Sequence, residues 1–168
     1  MWTVIPQYGS KRPTEQELRC MAYLAIASGA QGLGIYAWDD RNAKTKVGWY
    51  TADHPEDLKI LSTVMGELNK LQNVLIIPNS LRALTLTPQN PALHVALKEA
   101  GNESFLFVVN DSRAAETATL SIAGLQSADG VDMQDASNKI SIRGGKVLLQ
   151  LLPLGVRLYR LSDIQSGT

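Results

Sequence analysis

The spacing of apolar residues changes about halfway along the chain. In the first half, residues 2–7 and 32–38 are short apolar runs of the kind that form buried strands. A helical pattern follows each run, with apolar residues recurring over residues 15–28 and again over residues 58–71. This alternation of strand and helix predicts βα units with a parallel sheet.

Both helices of the first half have recognisable boundaries. Thr14 and Glu17 have the spacing of a capping box, which predicts that the first helix begins after Thr14. Gly29 stands at the other end, where a left-handed residue commonly follows a helix. Pro55 suits the first turn of the second helix, because the N–H that proline lacks has no partner there anyway.

The second half contains short strand patterns at nearly regular spacing. Phe105, Phe107 and Val109 occupy every second position, as in a half-buried strand. The pairs Gly-Asn at 101–102 and Gly-Gly at 144–145 predict two-residue hairpin turns. Such a series is typical of an antiparallel sandwich or barrel. The predicted strands are residues 81–87, 93–99, 104–110, 116–122, 131–134, 139–143, 146–151 and 155–161.

The change of pattern near residues 77–80 predicts two units. Residues 1–77 form the α/β unit, and residues 78–168 form an all-β unit, predicted to be an antiparallel β-sandwich. The predicted fold class is therefore α/β plus all-β.

Composition and charge exclude several classes of function. The 168 residues include 16 Lys and Arg and 16 Asp and Glu, so no excess of positive charge is present to neutralise nucleic-acid phosphates. No apolar run reaches the roughly 18 residues of a membrane span. The start of the chain lacks the pattern of a signal peptide, and the localisation stays open. We expect neither a nucleic-acid partner nor a membrane partner.

Motifs for cofactors and metals are also lacking in the sequence. Cys20 is the single cysteine, which excludes an internal disulfide and a cysteine-rich zinc site. Gly29, Gly32 and Gly34 precede or lie within a predicted strand, whereas a nucleotide fingerprint needs its glycines after the strand. His54 and His94 lie in different units, and we expect neither to be catalytic. The sequence therefore predicts no cofactor and no metal site.

Several segments resemble the end of a (β/α)8 barrel in the glycoside hydrolases of the large retaining clan, together with the β-sandwich that often follows such barrels. The resemblance covers nearly the whole chain and is more specific for architecture than for substrate. The segments are WTVIPQY at 2–8, RPT at 12–14, ELR at 17–19, AYLAIA at 22–27, GAQGL at 29–33, FVVNDS at 107–112 and LPLGVRLY at 152–159.

The resemblance implies a partial barrel. Residues 2–7 and 32–38 would be its seventh and eighth strands, whereas a complete barrel needs about 250 residues. The chain is thus expected to be the C-terminal part of a larger carbohydrate-active enzyme. We expect it either to associate with the missing N-terminal barrel portion or to self-associate, because its strand edges would otherwise be uncovered.

The resemblance also implies where the chemistry would lie. Retaining glycosidases use two carboxylates, and in this clan the nucleophile is a Glu at the end of strand seven. Pro6-Gln7-Tyr8 holds no carboxylate at that point, and the strand that would bear the acid/base is absent. We therefore name no catalytic residue and expect the isolated chain to be inactive.

The carboxyl ends of the two strands hold the candidate sugar-binding residues, because barrel enzymes place their sites there. Aromatic rings at that edge stack on sugars, and polar side chains bind hydroxyls. Trp49 and Tyr50 lie in the following loop and are further candidates for lining the site. The candidates are Gln7, Tyr8, Tyr36, Trp38, Asp39 and Asp40.

Three functions remain open at this point. The first is part of an enzyme that hydrolyses oligo- or polysaccharides. The second is a non-catalytic carbohydrate-binding module. Its sheet would need exposed aromatic residues, and the predicted strands contain only Phe105, Phe107 and Tyr159. The third is a structural accessory module, in which the β-unit only supports the last barrel helix.

Overall fold

The computed structural model describes residues 2–6, 12–46 and 48–166. Among the described residues, three helices and a short 3-10 turn at Thr51–Asp53 lie in the first half. The helices are α1 (Glu15–Ala27), α2 (Pro55–Lys70) and α3 (Gln72–Leu75). The strands are β1 (Trp2–Pro6), β2 (Gly32–Tyr36), β3 (Leu84–Thr87), β4 (Leu93–Ala100), β5 (Glu103–Asn110), β6 (Glu116–Ile122), β7 (Leu125–Asp132), β8 (Lys139–Arg143), β9 (Lys146–Leu151) and β10 (Val156–Ser166).

The first half forms a βαβ unit. β1 pairs in parallel with β2, from Trp2 opposite Gly32 to Pro6 opposite Tyr36. α1 connects the two strands and begins with the predicted capping box at Thr14. No helix among the described residues is long and apolar enough to cross a membrane.

The two faces of this strand pair differ in burial. Ile5 is buried, and with Leu33 and Ile35 it packs into the core formed with α1 and α2. Trp2 and Val4 lie on the opposite face and are 78% and 65% exposed. One face of the pair is thus covered by helices, and the other is open.

The second half forms one eight-stranded sheet in the order β3-β6-β9-β8-β7-β10-β5-β4, and every pairing is antiparallel. Both predicted hairpin turns are confirmed: β4 pairs with β5 across residues 101–102, and β8 pairs with β9 across residues 144–145. The chain therefore has a mostly β architecture with a few helices. The finer divisions into a partial barrel and a sandwich, and the boundary at 77/78, stay predictions.

Three predicted strands of the second half are wrong in extent: the strand predicted at residues 81–87 is β3, which begins only at Leu84, and two others extend beyond their predicted bounds. The strand predicted at residues 131–134 is β7, which begins at Leu125 and ends at Asp132. β10 continues past Leu161 to Ser166, with irregular pairing to β7 near its end. Polar residues interrupt the apolar alternation in β7 and at the end of β10. The strands therefore continue beyond the residues that the apolar pattern indicated.

β5 is buried on both faces, which corrects the prediction of a half-buried strand. Phe105, Phe107 and Val109 pack into a core shared with α1 and α2. Leu106 and Val108 face the other way and pack inside the curved sheet. All five side chains are at most 3% exposed.

The sheet packs most extensively against α1, and it also contacts α2, where Gln134 donates to Glu67. β5, β4 and β10 contact α1, and Gln16 of this helix donates a 2.6 Å hydrogen bond to the carbonyl of Pro153. Arg113, between β5 and β6, pairs with Glu17 at the start of α1. The two halves therefore share one interface, with α1 at its centre.

Candidate functional site

The carboxyl ends of β1 and β2 lie side by side. Pro6 and Tyr36 are partners at the end of the parallel ladder, so the residues that follow each strand emerge at the same edge. Gln7 and Tyr8, the candidates that follow β1, lie outside the described residues. The candidates that follow β2 are all described.

The loop after β2 closes into a short hairpin, which we call the strand-end loop (residues 38–51). The N–H of Asp40 donates to the carbonyl of Trp49, and the N–H of Thr51 donates to that of Trp38, both at 2.9 Å. These bonds place the aromatic residues of the second strand of the hairpin beside those of the first.

Gly48 permits this close approach. Its φ is +135°, which side chains of L-residues rarely tolerate. A Cβ at this position would lie 2.9 Å from Cα of Arg41 and 3.0 Å from the carbonyl oxygen of Asp40. A larger residue would therefore force the two strands of the hairpin apart.

Trp38 and Tyr50 form the aromatic part of the site. Their ring centroids are 6.3 Å apart at an angle of 88°, an edge-to-face contact. Trp38 is 56% exposed and Tyr36 is 47% exposed, whereas Ala37 between them is buried. We call Tyr36, Trp38, Asp39, Asp40 and Tyr50 the strand-end surface.

The two carboxylates of this surface have different partners. Asp39 accepts two hydrogen bonds from the Arg41 side chain, at 2.9 and 2.7 Å, and one from the Arg41 backbone N–H. These bonds lower the pKa of Asp39 to about 2. Asp40 accepts a 3.1 Å hydrogen bond from the hydroxyl of Tyr36. Asp39 is thus held as an anion, and the two do not form an acid/base pair.

Arg41 also lies on the ring of Tyr50. Its guanidinium carbon is 3.6 Å from the ring centroid, a close cation–π contact. Tyr50 therefore has Arg41 over one face and also makes an edge-to-face contact with Trp38.

A second cluster fixes the base of the strand-end loop. The ring of Trp49 stacks on that of His54, with centroids 4.0 Å apart and planes 5° apart. The indole N–H of Trp49 donates to Thr51 Oγ1, whose hydroxyl donates to the carbonyl of Ala37. Trp49 is therefore a packing residue of the loop, rather than a residue of the strand-end surface.

Arg12 joins this base to α2. Its Nη1 donates a 2.6 Å hydrogen bond to Asp57 and lies 3.3 Å from Nδ1 of His54. The guanidinium is also 5.4 Å from the Trp49 ring centroid. His54 precedes Pro55 at the start of α2, but its side chain makes no capping hydrogen bond. These contacts connect the segment that follows β1 and the segment that follows β2 to the start of α2.

Sequence reasoning identified the aromatic residues but missed Arg41 and Arg12. The two arginines lie in polar segments, where nothing in the apolar pattern signals a partner. The spacing of Asp39 and Arg41 was a usable signal, because two residues so close in a tight loop have side chains within reach of each other.

Other parts of the described chain lack the features of a sugar or metal site. A cleft of about 1010 Å³ between α1, α2 and the sheet has no aromatic side chain among its described lining residues. Phe105, Phe107 and Tyr159 of the sheet are buried. No group of three or more metal-ligating side chains occurs among the described residues.

Solved structures with a similar fold include glycoside hydrolases. An α-amylase from Anoxybacillus superposes with a TM-score of 0.61 and 13% identity, over 99% of this chain and 39% of that one. An α-amylase from Geobacillus thermoleovorans, complexed with acarbose, gives 0.57 and 12%, over 89% and 34%. α-Galactosidase I from Mortierella vinacea gives 0.52 and 12%, over 93% and 38%.

The chain thus spans little more than a third of the length of these proteins. No protein-family model matches the chain, and no curated protein matches it in sequence. At such low identity the likeness establishes the fold alone.

Proposed function

We propose that this chain is part of a glycoside-hydrolase-like enzyme that hydrolyses glycosidic bonds in oligo- or polysaccharides. Its strand-end surface supplies part of the sugar-binding site, and its eight-stranded sheet supports the βα units through α1. The fold shared with the amylases and the galactosidase supports this assignment.

The observation that carries the proposal is the exposed indole of Trp38. It stands at the carboxyl ends of two parallel strands, near Tyr36 and Tyr50, and the carboxylates of Asp39 and Asp40 follow it directly in the chain. An apolar ring face combined with polar groups is what a pyranose requires, since its C–H face stacks and its hydroxyls form hydrogen bonds.

The open face of the β1–β2 pair supports an incomplete barrel. Trp2 and Val4 are large apolar residues that water covers in the described chain. We propose that the missing βα units of the barrel cover this face, from the same protein or from a separate polypeptide. Without that partner, a second copy of the chain would take its place.

Catalysis requires groups that this surface lacks. Asp39 is bound by Arg41, and Asp40 is bound to Tyr36, so neither is poised as nucleophile or proton donor. The catalytic carboxylates would come from the remainder of the barrel. The chain alone should therefore bind saccharides without hydrolysing them.

Titration calorimetry with three neutral oligosaccharides of different linkage tests the proposal. We expect maltotriose, cellotriose or raffinose to bind the chain, and Trp38→Ala to weaken that binding at least tenfold. Leu152→Ala, which changes a comparably exposed apolar residue on the sheet side, is the matched control and should leave binding unchanged. Binding unaffected by Trp38→Ala would contradict the proposed site.

An accessory carbohydrate-binding module is the second candidate function. In such a module the saccharide would bind to the sheet, whereas in the proposed enzyme it binds to the strand-end surface. The buried state of Phe105, Phe107 and Tyr159 disfavours it, because these rings cannot stack on a ligand.

A further inference from the structure

Arg41 occupies two groups of the strand-end surface, Tyr50 and Asp39, that suit a sugar. Its guanidinium lies 3.6 Å from the centroid of the Tyr50 ring. At the same time its Nε and Nη2 donate to the two carboxylate oxygens of Asp39. One planar cation thus covers an aromatic face and satisfies both oxygens of a carboxylate.

This is the pair of contacts that a pyranose ring would make. A sugar places its C–H face on an aromatic ring and donates hydroxyl hydrogens to a carboxylate. A guanidinium is also planar, stacks on aromatic rings and donates two parallel hydrogen bonds. Arg41 and a saccharide therefore compete for the same surface.

The contact is held by the geometry of the hairpin. Asp39 pairs with Tyr50 across the loop as a β-bridge, so ring and carboxylate lie side by side. Gly48 permits the backbone to approach Arg41 closely. The Trp49–His54 stack and the hydrogen bond from Thr51 to Ala37 fix the base of the same loop.

The contact is also easily broken. The side chains of Arg41 and Asp39 are 24% and 39% exposed, and exposed ion pairs contribute little to stability. Arg41 lies only two residues from Asp39, so its side chain can rotate into solvent while the backbone hydrogen bonds of the loop remain. No rearrangement of the strands is needed.

We infer that Arg41 is an internal occupant of the sugar site, which must leave Tyr50 and Asp39 before a saccharide binds there. The inference rests on the proposed function and adds a regulatory element to it. In the free chain Arg41 covers these two groups, and a saccharide displaces it by replacing both contacts of the guanidinium.

The lowered pKa of Asp39 offers a readout of the contact that needs no sugar. In Arg41→Ala the carboxylate loses its main hydrogen-bond donor, so its pKa should rise towards the ordinary aspartate value. Arg41→Lys keeps a positive charge but lacks the planar fork, and should give an intermediate pKa. NMR of the side-chain carboxyl carbon during an acid titration measures this directly.

Titration calorimetry of the full chain with maltotriose, cellotriose and raffinose tests the inference. We expect Arg41→Ala to bind at least one of them about three- to tenfold more tightly than the unmodified chain, as removal of a weak exposed contact allows. Arg41→Lys should lie between the two. Lys44→Ala removes another exposed cation of the same loop and is the matched control, with no change expected.

The outcomes separate this inference from the proposed function. Equal or weaker binding by Arg41→Ala overturns the inference while the proposed function stands, since Arg41 would then be neutral or itself a sugar contact. Absence of binding by every variant contradicts the proposed function and overturns the inference with it. An Asp39 pKa that does not move in Arg41→Ala overturns the inference by itself.

Discussion

The phenolic hydroxyl of Tyr23 donates a 2.6 Å hydrogen bond to Oε1 of Glu67 and so joins α1 to α2. Gln134, which follows β7, donates in turn to the hydroxyl of Tyr23 at 2.6 Å and also contacts Glu67. Burial, and then the adjacent carboxylate, raise the pKa of Tyr23. One hydroxyl thus connects the two helices and the sheet.

Removing this hydroxyl should destabilise the chain measurably. Tyr23 is fully buried, so Tyr23→Phe removes a buried hydroxyl that donates to Glu67 and accepts from Gln134. We expect the free energy of unfolding in urea to fall by about 1–3 kcal/mol. Tyr36→Phe removes an exposed hydroxyl and should change it by less than about 0.5 kcal/mol. Equal effects of the two substitutions would show that the buried network does not hold the halves together.

Because of Lys98, the stability of the chain should depend on pH in the alkaline range. The residue is 2% exposed, its ammonium donates a 2.6 Å hydrogen bond to the carbonyl of Ile77, and burial lowers its pKa. Between this lowered pKa and the unfolded value near 10.4, the unfolded state binds more protons than the folded state. The contribution of Lys98 to the free energy of unfolding therefore rises with pH in that window.

Comparison with Lys98→Met isolates this contribution from the tyrosines that titrate in the same range. We expect the free energy of unfolding of the unmodified chain to increase relative to that of Lys98→Met as the pH rises to about 10.4. Urea denaturation at intervals from pH 7 upward gives this difference. A difference that stays constant with pH would mean that Lys98 titrates normally in the folded chain.

Gly48→Ala should open the strand-end loop. The new methyl group would lie 2.9 Å from Cα of Arg41, at a φ that favours glycine. We expect a loss of about 1–3 kcal/mol in stability and a weaker near-ultraviolet signal from the loop aromatics. Gly66→Ala places a methyl group in open space on α2 and should stabilise by about 0.5–1 kcal/mol. Similar effects from both alanines would contradict the close approach at Gly48.

Self-association should depend on the open face of the β1–β2 pair. We expect the full chain to form dimers or larger species in sedimentation velocity, because Trp2 and Val4 otherwise remain in water. Replacing both by serine should shift the chain towards monomer. Serines at Leu148 and Leu152, exposed apolar residues of the sheet side, should not. A monomeric unmodified chain at every concentration would contradict the open-face interpretation.

Local signals in the sequence predicted local structure well. The capping box at Thr14, the left-handed Gly29 and the two hairpin turns depend on residues within a few positions of one another, and the structure has all of them. β8 likewise has the predicted bounds, because its apolar residues Ile140 and Ile142 alternate with polar residues.

Features that depend on distant contacts were not predictable in the same way. Periodicity in β5 reveals one buried face, whereas the second is buried only because the sheet curves around Leu106 and Val108. The contact of Arg41 with Tyr50 arises when the strand-end loop closes, and no pattern in residues 38–51 specifies it.

The indole N–H signals of the three tryptophans test the central claim most directly. Trp38 belongs to the strand-end surface, Trp2 lies at the other end of the strand pair, and the Trp49 indole is bonded to Thr51. In ¹H–¹⁵N spectra recorded during titration with maltotriose, cellotriose and raffinose, we predict that the Trp38 signal moves saturably with at least one sugar, while the signals of Trp2 and Trp49 stay in place. A Trp38 signal that stays in place with all three sugars would contradict a saccharide site at the ends of these strands.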